Sequence, residues 1–154
     1  MQTAYRVLVA SNTELLTLNQ SDMWNSKYKP NQDWNHAWGA VPSNVIPRKL
    51  MVVEPLEPGF RKIRIKPQPS TLAHAELTPP TIRGSIKVSF NNILGKKFEM
   101  EIEIPANTVA EIWLPLLDKK QRLTMDGITQ KASIDGSFVK LSSGSGKHCF
   151  VVEK

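Results

Sequence analysis

Three groups of residues in this sequence have types and spacings that could do chemistry. His36 stands between Trp34 and Trp38, an imidazole able to move a proton beside two indoles able to stack on a ring-shaped ligand. Glu99, Glu101 and Glu103 recur at every second position, and carboxyl groups held close together can divide acid and base duties between them. His74, His148 and Cys149 are the remaining side chains with metal-binding or nucleophilic potential.

Spacing argues against most of these. The three glutamates interleave with Phe98, Met100, Ile102 and Ile104, and alternate residues of a strand share a face, so the glutamates belong on the solvated side of a strand whose other side is core. Their expected role is solubility and register, with cross-strand pairing to the basic run Arg61 to Lys66 contributing up to about 1 kcal/mol per pair. His74 and His148 are distant from each other and from any Asp/Cys cluster at ligand spacing, so no metal site is expected. Cys149 lies in the apolar run Cys149-Phe150-Val151-Val152, where a buried thiol is the better reading than a nucleophile. As the single cysteine it forms no internal disulfide. No glycine-rich phosphate loop, Ser-His-Asp grouping or Cys-His pair is visible, and no cofactor is implied.

The elements that must position these residues divide the chain in two. Tyr5 to Ala10 reads as a strand bounded by Ser11-Asn12, and Thr13 to Leu16 as one short helical turn capped by Asn12 or Thr13. Between Asp33 and Leu50 the apolar residues Trp34, Ala37, Trp38, Val41, Val45 and Ile46 fall at helical spacing. Pro42 and Pro47 break that pattern into two short pieces. Beyond Glu54-Pro55-Leu56-Glu57-Pro58-Gly59, which ends regular structure, the sequence is written in a period of two. Candidate strands are Lys62–Lys66, Ala73–Leu77, Gly84–Phe90, Phe98–Ile104, Val109–Leu114, Leu123–Met125, Phe138–Leu141 and Cys149–Val152. About eight strands with a turn signal every ten residues or so predict an all-β fold, an antiparallel β-sandwich with a short helical segment near residues 34–50.

Composition fits one domain with an appendage. The chain has 154 residues, 40% hydrophobic and 22% charged, enough to bury a real core and too apolar for disorder. A net charge of +6 would permit an anionic partner. The basic residues, however, come as short pairs and one alternating run without interleaved aromatics, so a solvated face is expected and nucleic acid is not. No apolar stretch reaches the roughly 18 residues of a membrane span. The first residues lack the basic lead and apolar segment of a signal peptide, which makes cytoplasm the default location.

The residues also carry a resemblance. Trp34-Asn35-His36-Ala37-Trp38-Gly39-Ala40, Pro42, and the stretch from Val53-Glu54-Pro55 through Gly59-Phe60-Arg61 to Lys66-Pro67-Gln68-Pro69 resemble the junction where the catalytic (α/α)₆ barrel of bacterial α-L-rhamnosidases passes into their C-terminal β-sandwich. Arg83–Ser89 is similar to the next strand of that domain, Ile104–Thr108 to a turn, and Val139–Gly146 to its closing hairpin. The opening Gln2–Ser11, with Leu15-Leu16 and Asp22–Ser26, is similar to the first strands of the N-terminal fibronectin-like domain of the same enzymes. On this resemblance residues 1–31 are an N-terminal strand-containing segment, 32–58 a remnant of the last barrel helix and linker, and 59–154 the C-terminal sandwich. The join falls near Lys29 to Gln32, as an internally deleted gene, a degenerate relative or a fusion would produce.

What the resemblance implies is a domain without its enzyme. Twelve barrel helices of about 12 residues with loops of about 5 need on the order of 200 residues, more than the whole chain. Inversion at a glycosidic bond needs an acid and a base about 6.5–9.5 Å apart, and in the family both come from the barrel. The expectation is a non-catalytic accessory domain, with Trp34, His36 and Trp38 as remnants of a substrate-binding surface. The alternatives are a carbohydrate-binding module for rhamnose-containing glycans, using Trp24, Trp34, Trp38 or Trp113, and a rhamnosidase part active only with a partner chain. If the apolar helical segment protrudes, it exposes a patch suited to homo-oligomerisation.

Overall fold

In the computed structural model residues 7–11, 14–18 and 46–154 are described, with side chains from residue 47 onward. The alternation that marked the glutamate run has the consequence it should. Phe98, Met100, Ile102 and Ile104 are buried while Glu99, Glu101 and Glu103 face outward, and neighbouring strands do the same until two apolar sheet faces meet.

The strands, numbered in chain order, are β1 (Val7–Ser11), β2 (Glu14–Leu18), β3 (Val53–Pro55), β4 (Lys62–Ile65), β5 (His74–Leu77), β6 (Pro80–Thr81), β7 (Gly84–Ser85), β8 (Lys87–Ile93), β9 (Lys97–Ile104), β10 (Val109–Pro115), β11 (Arg122–Met125), β12 (Ile128–Thr129), β13 (Ser133–Asp135), β14 (Phe138–Ser143) and β15 (Gly146–Glu153). An eight-stranded sheet runs β12-β11-β15-β9-β8-β5-β1-β2, and a five-stranded sheet runs β13-β14-β10-β4-β3. The small hairpin β6-β7 stands apart. Between the two large sheets lies one core. Ala75, Leu77, Val88, Phe90, Phe98, Met100, Phe150 and Val152 come from the larger sheet, and Ile63, Ile65, Ala110, Ile112, Leu114 and Val139 from the smaller. The Phe90 and Phe98 rings meet at 5.4 Å near its middle, within the range where aromatic pairs add to plain burial.

The expected all-β antiparallel sandwich is therefore the fold, with differences that have local causes. β4 and β10 pair in parallel, Ile63 opposite Ala110 and Ile65 opposite Ile112. The chain between them first crosses to build β5, β8 and β9 of the other sheet, so it returns to β4 in the same direction. Residues Glu14–Leu18 form a strand where a helical turn was expected. Pairing of Ala10 with Leu15 and of Val9 with Leu16 supplies the backbone bonds that a lone turn lacks. β1 in turn pairs with β5, Val9 opposite Ala75, which places the opening hairpin in the same sheet as the later strands. Glu54 and Pro55, expected in irregular structure, belong to the edge strand β3, whose terminal Pro55 sits where no further ladder donor is needed. Of the helical segment near 34–50, residues 34–45 lie outside the described part; Ile46–Leu50 forms a single wide π-type turn that includes Pro47. No described helix is long and apolar enough to cross a membrane.

Two connections fix the strand ends that matter below. The Arg83 guanidinium donates to the carbonyls of Gly59 and Asn107, tying three loops at one end of the sandwich. In the larger sheet, Asp126-Gly127 turns β11 into β12 with φ of 53° and 79°. Positive φ at both central residues is what a two-residue type I′ hairpin needs, and Asp-Gly is the pair that supplies it at least cost.

Candidate functional site

The residues singled out from sequence fare unequally. Trp34, His36 and Trp38, and with them Trp24, lie outside the described residues. Glu99, Glu101 and Glu103 do share the outer face of the large sheet, but they do not meet Arg61 to Lys66. That run is β4, in the other sheet. Their partners are on their own sheet instead: Lys97 Nζ lies 2.9 Å from Glu99 and Lys87 Nζ 3.1 Å from Glu103. His74 Nδ1 lies 2.9 Å from the Asn91 side-chain oxygen. Among the described residues no three His, Cys, Asp or Glu side chains are gathered as a metal would require.

Asp126, His148 and Cys149 do come together, in a way that holds structure rather than performs chemistry. One Asp126 oxygen accepts from the Cys149 backbone N–H at 2.8 Å, and the other lies 2.9 Å from His148 Nδ1. The Asp126 backbone N–H returns the bond to the Cys149 carbonyl. The His148 contact, and then the Cys149 N–H, hold the Asp126 carboxyl below its ordinary value. The thiol gains nothing from this. Successive strand residues point to opposite faces, so the imidazole does not reach the sulfur. Burial, then Glu99, Glu101 and Asp126, push the Cys149 thiol up, the reverse of what activates a nucleophile. Sequence reasoning passed over Asp126, although Asp-Gly between two apolar runs is a strong hairpin signal.

On the outer face of the smaller sheet a second cluster surrounds Trp113. Trp113 is only 9% exposed although its ring points away from the core. Lys66 Nζ sits 4.4 Å from the Trp113 ring and 4.4 Å from that of Phe138, Lys140 Nζ 5.0 Å and the Arg64 guanidinium 5.7 Å from Trp113. Beneath them Glu111, its side chain 12% exposed, accepts from Trp113 Nε1 at 2.8 Å, Lys140 Nζ at 3.0 Å and Arg64 Nε at 3.4 Å. Arg64 also reaches Glu54 at 3.1 Å. A ring so covered by long cationic side chains is a packed element of the sheet surface, and it offers no open face for a sugar to stack on.

Burial pushes the Glu111 carboxyl up, but the hydrogen bonds from Trp113 and Lys140, the Lys140 charge and the Arg64 bond outweigh it and hold the carboxyl below its ordinary value. A carboxyl that is more acidic folded than unfolded stabilises fully above its unfolded value of about 4.3 and loses that contribution as the pH falls through the folded one. Melting temperature should therefore drop between about pH 6 and about pH 3, and Glu111→Gln, less stable at neutral pH, should drop measurably less over the same interval. Thermal melts of the two proteins across that range check it; parallel curves would remove Glu111 from the acid response.

The outer face of the larger sheet holds a trough of about 580 Å³. Its floor is two cross-strand rows. In one, Glu76 of β5 lies opposite Ser89 of β8, Ser89 opposite Glu101 of β9, and Glu101 opposite Cys149 of β15. In the other, Lys87 lies opposite Glu103 and Glu103 opposite Lys147. Asp126 closes the end nearest β11.

Comparison with known proteins agrees with this architecture. Residues 53–128 match the bacterial alpha-L-rhamnosidase C-terminal domain. Among solved structures, the alpha-L-rhamnosidase from Dictyoglumus thermophilum is 25% identical with a TM-score of 0.68, the match covering 76% of this chain and 14% of that one. The Streptomyces avermitilis alpha-L-rhamnosidase complexed with L-rhamnose is 24% identical, TM-score 0.64, covering 79% and 12%. The Aspergillus terreus enzyme is 24% identical, TM-score 0.58, covering 77% and 12%. The chain thus spans only a small fraction of each relative. No curated protein matches. What this chain shares with bacterial alpha-L-rhamnosidases is their C-terminal domain, matched on residues 53–128 and built as the two-sheet sandwich.

Proposed function

We propose that the chain serves as a non-catalytic accessory domain of an α-L-rhamnosidase-like glycoside hydrolase, stabilising or positioning other polypeptide and performing no hydrolysis itself. The observation that carries this reading is where the likeness falls: the family match is to the C-terminal domain, and the solved relatives are aligned over 12–14% of their length. The division into an opening segment of residues 1–31, a connecting segment 32–58 and the sandwich 59–154 belongs to the same proposal.

The chemistry of the described surface supports it. The best-organised carboxylate, Glu111, is occupied by three donors. The carboxylates of the trough lie on an open sheet face, where water screens charge and no enclosed acid–base pair flanks a bond. The test is hydrolysis. Purified chain offered a chromogenic α-L-rhamnoside should release chromophore at the rate of buffer alone. Turnover that scales with protein and disappears in His36→Ala would overturn the proposal.

A carbohydrate-binding role without catalysis is the second reading, and the trough, rather than any aromatic platform among the described residues, is what favours it.

A further inference from the structure

We infer that the trough on the outer face of the eight-stranded sheet is a binding site for a neutral polyhydroxylated ligand, a short oligosaccharide, held by Glu76, Ser89, Glu101 and Lys147. Some of the trough's charged groups are already engaged. Glu103 is paired with Lys87 at 3.1 Å, and Asp126 is held by His148 and the Cys149 N–H. Among the described residues Glu76, Glu101 and Lys147 make no ion pair, and the Ser89 hydroxyl makes no hydrogen bond. The unengaged groups are two carboxylates that only accept, one ammonium that only donates, and a hydroxyl that does both.

That set matches the needs of a sugar. Each sugar hydroxyl both donates and accepts, and bonds to charged partners are the stronger kind. The competing ligands fit less well. An anion would face Glu76, Glu101 and Glu103 at once, and an apolar ligand would find a floor of charged and polar side chains. A cation would satisfy the carboxylates but would meet Lys87 and Lys147 along the neighbouring row. Glu76 and Glu101 stand two strands apart, about 10 Å at ordinary strand spacing, with Ser89 midway. A row of that length accommodates two linked pyranose rings, and the volume of about 580 Å³ leaves room for them.

The assignment deepens the accessory reading, resting on it only in that the ligand is bound and not cleaved. Calorimetric titration of the full chain with methyl α-L-rhamnoside and with rhamnobiose tests it, and the recovered sugar is analysed for cleavage. The expected result is millimolar or tighter binding, stronger for the disaccharide. Glu101→Gln and, independently, Glu76→Gln should each weaken it by about tenfold, the scale of one hydrogen bond to a charged group. Glu99→Gln, on the same face beyond the trough, should leave it unchanged. No heat with either sugar at high millimolar concentration overturns the assignment, as does equal weakening by Glu99→Gln. Binding of spermidine that is lost in Glu101→Gln, without sugar binding, overturns it in favour of a cation site. Cleaved rhamnobiose would sink the accessory reading, while absence of binding leaves that reading intact, so the two failures are distinguishable.

Discussion

Replacing Phe98 by alanine is expected to lower the free energy of unfolding by about 3–5 kcal/mol, the cost of emptying an aromatic-sized space in a close-packed interior. Phe98 is fully buried and lies against Phe90 at 5.4 Å, and its strand β9 is flanked by β8 on one side and β15 on the other. The surrounding side chains are held in two hydrogen-bonded ladders and cannot collapse into the vacated space, which places the cost in the upper part of that range. Since a domain of ordinary stability has only about 5–15 kcal/mol to lose, the variant should unfold at markedly lower urea, with an unchanged slope if the unfolded state is unaffected. A midpoint within error of the parent protein would mean that the two sheets do not close on this ring.

The second large effect lies on the surface of the smaller sheet. Glu111→Ala removes the acceptor shared by Trp113, Lys140 and Arg64. It leaves the indole N–H of Trp113, a residue only 9% exposed, without a partner. Three cations then surround that ring with less opposing charge. An unsatisfied buried donor costs about 1–3 kcal/mol. The lost ion pairs add less, because the Arg64 and Lys140 side chains are 33% and 37% exposed and water screens them. A destabilisation of about 2 kcal/mol follows. The double variant Glu111→Ala with Trp113→Phe should cost less than the sum of the two single changes, because the phenylalanine has no N–H to orphan. Strict additivity in urea melts would show that the Glu111–Trp113 bond carries little energy.

How much of this could be read from sequence depends on the length scale of the signal. The strands Phe98–Ile104 and Val109–Leu114 were legible because a period of two is a local property, visible without knowing what the strand pairs with. The Glu14–Leu16 stretch was misread for the complementary reason: its strand exists through pairing with Val7–Ser11, and β1 itself through pairing with β5, contacts that no window of a few residues contains. The parallel β4–β10 pair is similarly a matter of chain route.

Site residues divide along the same line. That Glu99, Glu101 and Glu103 face solvent followed from alternation, but their partners did not, because which basic residues lie opposite is decided by sheet membership. Arg61 to Lys66 is basic enough to invite the pairing, yet β4 went to the other sheet, and Arg64 found Glu54 and Glu111. From sequence Trp113 was one of the aromatics that a carbohydrate-binding surface could use. Its actual setting, outside the core yet covered by Lys66 and Lys140, needs side chains from three strands. The trough is also beyond local reading, since Glu76, Ser89, Glu101 and Lys147 are brought together only by the β5-β8-β9-β15 order.

The proposed role requires that these residues form a sandwich that holds its shape without the rest of an enzyme. Hydrogen exchange of the purified chain alone, read by mass spectrometry, tests that directly. Peptides spanning β8, β9 and β15 should exchange only through global unfolding, with protection worth about 5 kcal/mol or more. Exchange of those same strands within minutes at neutral pH, in folded-looking protein, would contradict it.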